Sequence, residues 1–155
     1  MNQYNLNVKD LTLLANYLEK LPIHYSHFNM VRFNSAFGTI PAEIEEHSCG
    51  TSGCAVGHAP FVEGIPKPEK EELWSDYSVR IAFLNDGFLC EDQESLWDFM
   101  FGPIWFEYDN TPHGAAKRIK LALSNPDACL EVMKIRYRGD SITESYNNLL
   151  LELEK

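Results

Sequence analysis

The chain has 155 residues, 45% of them apolar and 23% charged, with a formal net charge of −10. That size and balance fit one soluble domain whose core needs no disulfide support, and no apolar run approaches the about 20 residues that span a bilayer. The negative charge argues against non-specific nucleic-acid binding, because like charges repel and no counterions are released from a phosphate backbone.

The opening residues, MNQYNLNVKD, lack a basic segment followed by an apolar one, so no secretory signal is read there and the protein is expected in the cytoplasm. In that compartment four cysteines are expected as free thiols. The first predicted helix follows. Asn7 is its N-cap, Asp10 sits in its first turn, Leu11, Leu14, Ala15, Leu18 and Leu21 form one stripe, and Pro22 closes it. Residues 23–41 are aromatic without a clear period, with Phe28, Met30 and Phe33 expected in the core.

A helix is next predicted from about Glu69 to Leu84, with Leu73, Tyr77, Ile81 and Leu84 on one face and Gly87 near its C′ position. A shorter one is capped by Asp92, buries Leu96, Phe99 and Met100, and stops at Gly102-Pro103. The clearest start signal is Thr111-Pro112, an N-cap followed by proline at N1, with Ala115, Ala116, Ile119, Ala122 and Leu123 facing inward. Residues 127–138 fit a helix or a strand, and Ser141 with Glu144 forms a capping box for a last helix carrying Ile142, Tyr146, Leu149, Leu150 and Leu153. The expected fold is mainly α: about six helices in one domain spanning residues 1–155, with room for a minor irregular or short-strand element.

The densest chemistry lies in HSCGTSGCAVGHAP, residues 47–60, which admits three readings. His47, Cys49, Cys54 and His58 have the donor types of a zinc site, but four ligands within twelve residues would staple only one loop. Cys54 in the first turn of a helix, or Cys49, would make a thiolate nucleophile with His47 or His58 as base. In the third reading Gly53, Ala55, Gly57 and Ala59 make a small-residue helix face, and the cysteines pack as buried hydrophobes. The packing role is the default for cysteines in such a setting. It leaves the N–H groups of the turn Cys49, Gly50, Thr51, Ser52, Gly53 and Cys54 open to an anion.

Other chemistry-bearing residues are sparser. Lys117, Arg118 and Lys120 form a local basic group that reads as a solvated helix face and flanks an anionic ligand in the alternative; Lys134, Arg136 and Arg138 form a second such group. His24 and His27 read as surface histidines, His113 as a solvated first-turn residue, and Trp74, Trp97 and Trp105 as core. No Walker or Rossmann glycine loop, H-E-x-x-H or G-x-S-x-G is present.

Phe28 and Met30, then CGTSGCAVGHA from Cys49 to Ala59, then Met100, Phe101 and Trp105, then Thr111, Pro112, Ala115, Ala116, Arg118 and Ile119 together form a pattern. It resembles a group of small uncharacterised phage and bacterial proteins over residues 28–123. Members of that group often carry tryptophan where this chain has His58, which counts against a required zinc ligand there. The resemblance implies a phage-type accessory protein acting in the host cytoplasm, with interference in a host process such as defence as its role; it implies no reaction.

The reading is therefore a non-enzymatic binding protein whose partner is a host protein or a small anionic ligand, with no membrane and no cofactor. The ligand residues are expected at Cys49, Gly50, Thr51, Ser52, Gly53, Cys54, His58 and Arg118. One alternative is a cysteine-dependent hydrolase or transferase using Cys49 or Cys54 with His58. The other is a zinc protein using His47, Cys49, Cys54 and His58. Oligomeric state stays open, because the last helix can pack internally or across a dimer.

Overall fold

The computed structural model describes residues 2–25, 28, 55–85, 87–102, 104–105, 108–137 and 142–153. Seven α-helices and one 3₁₀ turn appear among them: α1 (Val8–Glu19), α2 (Ala55–His58) continued by the turn Ala59–Phe61, α3 (Trp74–Ala82), α4 (Glu91–Phe101), α5 (Pro112–Ser124), α6 (Pro126–Tyr137) and α7 (Ile142–Leu153). The fold is mainly α, as the periodicities predict. The described residues contain no strand, only an isolated antiparallel bridge between Leu6 and Phe83. None of the described helices is long and apolar enough to cross a membrane.

The arrangement centres on α5. It packs along α1, with α4 and α6 against its other sides, while α7 covers α6 and the shorter α2 and α3 close on α1. Its start is built as the sequence indicates. Thr111 Oγ1 accepts from the Gly114 N–H at 2.9 Å, and Pro112 occupies the first turn without wasting a donor. On α1, the Asn7 side chain accepts from the Asp10 N–H at 3.3 Å, and Leu11, Leu14, Ala15 and Leu18 are fully buried. Residues 127–138, open between helix and strand from sequence, are helical through Tyr137. Cys129, Leu130, Val132 and Met133 are buried there at i, i+1, i+3 and i+4, a spacing that only a helix turns toward one side.

Several boundaries differ from expectation. α3 begins at Trp74 rather than Glu69. Glu71 takes a positive φ of +63°, the Glu69 N–H donates to the Glu72 carboxylate at 2.9 Å, and the Tyr77 hydroxyl donates to the Pro66 carbonyl at 2.8 Å, so residues 66–73 are tied as a turn. α3 ends before Leu84 because the Asn7 N–H donates to the Ala82 carbonyl and the Leu84 N–H to the Asn5 carbonyl, drawing Phe83 into an extended conformation. Leu84 is consequently exposed instead of buried. α4 is capped by Cys90 with Gln93 in a reciprocal box, not by Asp92, which lies inside the first turn. On α7, Ile142, Tyr146 and Leu149 are buried but Leu153 is exposed; Ser141 of the expected capping box lies outside the described residues.

The approach of α5 to the segment before it depends on Gly114. A Cβ there would lie 2.6 Å from the Asp109 carbonyl oxygen, and Asp109 already holds a left-handed φ of +51°. Gly114→Ala is therefore expected to lower stability by about 1–3 kcal/mol through overpacking, measured as a drop in the urea midpoint at unchanged slope. An unchanged midpoint would show that Asp109 moves aside without cost.

Candidate functional sites

Of the residues the sequence singles out, His58 and Arg118 fall among the described ones. His47 and the run from Cys49 to Cys54 lie outside them. His58 ends α2 and is only 3% exposed. Its ring stacks on Phe28 with centroids 5.8 Å apart, and Tyr25 and Tyr17 flank it at 6.0 and 6.4 Å. The residues beside it, Ala55, Val56, Gly57 and Ala59, are all buried, so this part of the motif packs into the protein with its small side chains inward. Among the described residues no three of His, Cys, Asp and Glu gather as a metal-binding group. Cys90 is exposed and Cys129 buried, and both are free thiols.

Arg118 departs from the solvated face on which the sequence places it. Its side chain is 0% exposed, whereas Lys117 and Lys120 point outward. The reason is helical phase. Arg118 stands three residues after Ala115 and four before Ala122, both fully buried, so it belongs to their stripe and not to the lysines'. That spacing was available in the sequence, but the local density of positive charge pointed the other way.

The guanidinium lies over Trp105, 4.5 Å from the ring centroid, inside a cluster in which Trp105, Tyr146, Phe99 and Tyr108 meet mostly edge to face. Nη1 donates to the Asp109 carbonyl at 3.2 Å. Nε and Nη2, the two donors of the side-on edge, meet no acceptor at full hydrogen-bond geometry, and neither does the Trp105 Nε1–H; the Tyr146 hydroxyl lies near enough to the guanidinium to act as a weak acceptor. Burial pushes the Arg118 pKa down to about 10, with the nearby Tyr146 and Asp109 opposing that shift. Among the described residues the His58 and Arg118 clusters share no ring, so the structure does not join the two into one site.

His113 is also not simply solvated. Its Nε2 lies 2.7 Å from the Leu21 carbonyl and ties the start of α5 to the end of α1. Nearby, Lys120 pairs with Glu19 at 2.6 Å across the same helices, an exposed pair worth little to stability.

The sequence reading missed the surface between α3 and α4. Two hollows of about 280 and 580 Å³ share Val79, Leu89 and Glu94 and so form one continuous groove. Val79, Leu89 and Trp97 supply its apolar surface; Asp76, Glu94 and Asp98 supply carboxylates. Arg80 also lines it, but its Nε and Nη2 are held by the Glu72 carboxylate at 3.0 and 2.8 Å. That contact raises the Arg80 pKa; burial opposes it for both partners, yet the ion pair and the Glu69 N–H keep Glu72 below its ordinary value.

Phe88 stands at one end of the groove with its side chain fully exposed (101%), and Leu84 nearby in sequence is 63% exposed. Residues on either side of Phe88 are tied by hydrogen bonds. Asn85 and the buried Gln93 exchange amide hydrogen bonds of 2.8 and 3.0 Å, Gln93 also donates to the Tyr4 carbonyl and accepts from the Cys90 N–H, and Gly87 supplies a φ of +111°. The only sequence signal for this surface was a pair of apolar residues flanking the turn.

Comparison of the chain with protein-family models, curated proteins and solved structures gives no match.

The buried acids near Arg118 set an alkaline limit. Burial raises the Cys129 thiol from 9.0 to about 12 and the Tyr146 hydroxyl from 10.0 to about 12. Each ionises more easily in the unfolded chain, so the stability they contribute is complete below pH 9 and is lost as pH rises toward 12. Arg118, whose folded pKa is lowered, acts in the opposite sense from about pH 10 upward. The urea midpoint should fall from about pH 9 upward in the wild-type chain and begin to fall later, from about pH 10, in Cys129→Ala. Identical profiles would remove the buried thiol as the cause.

Proposed function

We propose that the chain is a non-enzymatic accessory protein of the phage type, which acts in the host cytoplasm by holding a host protein on the groove between α3 and α4. One observation carries this reading: Phe88 is fully exposed, close in sequence to the hydrogen-bonded Asn85–Gln93 pair. A ring left in water forgoes about 1.5–3 kcal/mol of burial. A partner that covers the ring recovers that energy. The residue types of a thiol enzyme are present in the chain, but the one described histidine of the motif stacks on Phe28 inside the protein, a setting suited to packing.

A photo-cross-linking amino acid at position 88, in the full chain produced in host cells, is expected to give one discrete protein adduct. The same group at the exposed Val8 on α1 should give none. No adduct at 88, or the same adduct from both positions, sinks the reading.

A small anionic ligand is the second reading, and Arg118 favours it. The unpartnered Nε and Nη2 are the fork that grips a carboxylate with two parallel bonds, in a setting where burial strengthens each bond. Acetate, titrated against chloride at fixed ionic strength, should raise the melting temperature of the wild-type chain in a saturable way and leave Arg118→Gln unchanged. An equal rise in both proteins counts against it.

A further inference from the structure

The groove also carries information about what the partner brings to it, an inference that rests on the docking reading above. Its apolar surface is narrow, formed by Val79 on α3, Leu89 on the connection and Trp97 on α4. Asp76, Glu94 and Asp98 lie along it, with Glu91 and Asp92 exposed in the adjacent first turn of α4. Among the described residues of its lining the one cation, Arg80, is engaged by Glu72, so Asp76 and Glu94 present negative charge beside an apolar strip.

An occupant must match both features. A second copy of this chain does not: each copy carries a net charge of −10, and two such faces repel. Strand addition is not offered, because it requires an open sheet edge and the described residues contain only the isolated Leu6–Phe83 bridge. A helix suits the place. The groove lies between two helices, where the ridge of a third packs, and an amphipathic helix brings one apolar stripe with long basic side chains on either flank. We infer that the α3–α4 groove receives a basic amphipathic helix of the partner, with its apolar stripe on Val79, Leu89 and Trp97 and its Lys or Arg residues on Asp76 and Glu94.

Trp97 is a built-in reporter, since it lines the groove while Trp74 and Trp105 are buried. The test uses the full chain and two peptides of about 18 residues with one helical pattern of leucines, the polar face lysine in one and glutamate in the other. The lysine peptide should shift the Trp97 emission, gain helicity on binding and bind at least about ten-fold more tightly than the glutamate peptide. Trp97→Phe should abolish the emission shift and also weaken the helicity gain, because Trp97 supplies part of the apolar surface. Asp76→Lys/Glu94→Lys should weaken the lysine peptide by about ten-fold or more. Glu63→Lys/Glu131→Lys, which changes net charge equally away from the groove, should weaken it by no more than about three-fold.

Equal binding of both peptides, no binding, or equal loss in the two charge-reversed variants overturns the inference, provided all variants keep the wild-type melting temperature. If the lysine peptide fails while the adduct at position 88 persists, the partner chemistry falls and the docking function stands. If the peptide binds as described but no adduct forms in cells, the groove's chemistry stands and the docking function falls.

Discussion

α5 is buried on all but the face that carries Lys117 and Lys120, because α1, α4 and α6 all pack against it. Its inward positions are accordingly small, with Gly114, Ala115, Ala116 and Ala122 letting neighbouring backbones approach. One position on the same buried surface holds Arg118. Taking a guanidinium out of water costs several kcal/mol, and the favourable contacts among the described residues include the Asp109 carbonyl, the nearby Tyr146 and the face of Trp105, the last worth about 2 kcal/mol when desolvated. The aromatic cluster between α4, α5 and α7 is built around that cation. Trp105, Tyr108 and Tyr146 surround it, and the Tyr108 hydroxyl bonds Asn147, linking the segment before α5 to the last helix.

The same cation explains why the loop ahead of α5 holds its shape. Asp109 sits at a positive φ that a non-glycine residue adopts at a cost, and three features hold it there: its carbonyl accepts from Arg118, its carboxylate accepts from the Thr111 hydroxyl, and Gly114 leaves room for it. An arginine deep on one helix thus sets the backbone of a segment nine residues earlier, which in turn delivers the N-cap of that helix.

The two arginines of the described core and groove form an instructive contrast. Arg80 has the side-on edge of its guanidinium filled by Glu72 at the surface, and its charge is neutralised where a partner would meet it. Arg118 keeps the equivalent edge open in the interior. The first leaves the α3–α4 groove acidic, and the second leaves two guanidinium donors without a well-aligned acceptor in the interior. Phe88 completes the surface with its ring exposed, near the Asn85–Gln93 amide pair that joins the end of α3 to α4.

The helical class, the caps at Asn7 and Thr111 and the buried stripe of α1 were legible in the sequence, because they rest on interactions within four residues along the chain. The early end of α3 was not. The backbone groups that stop it belong to Asn5 and Asn7, nearly eighty residues away. Nor was the α3–α4 groove, since Val79 and Leu89 acquire a shared surface only when two helices are placed side by side. Arg118 lies between these cases. Its phase with Ala115 and Ala122 is local and readable, but the choice to bury a charge depends on Trp105 and Tyr146 arriving from other parts of the chain to receive it. The sequence alone determined which segments coil and which residues are apolar, because hydrogen bonding and side-chain periodicity act over one turn. Tertiary structure decided which charges go inside and which apolar groups stay out, because burial depends on what the rest of the chain brings alongside.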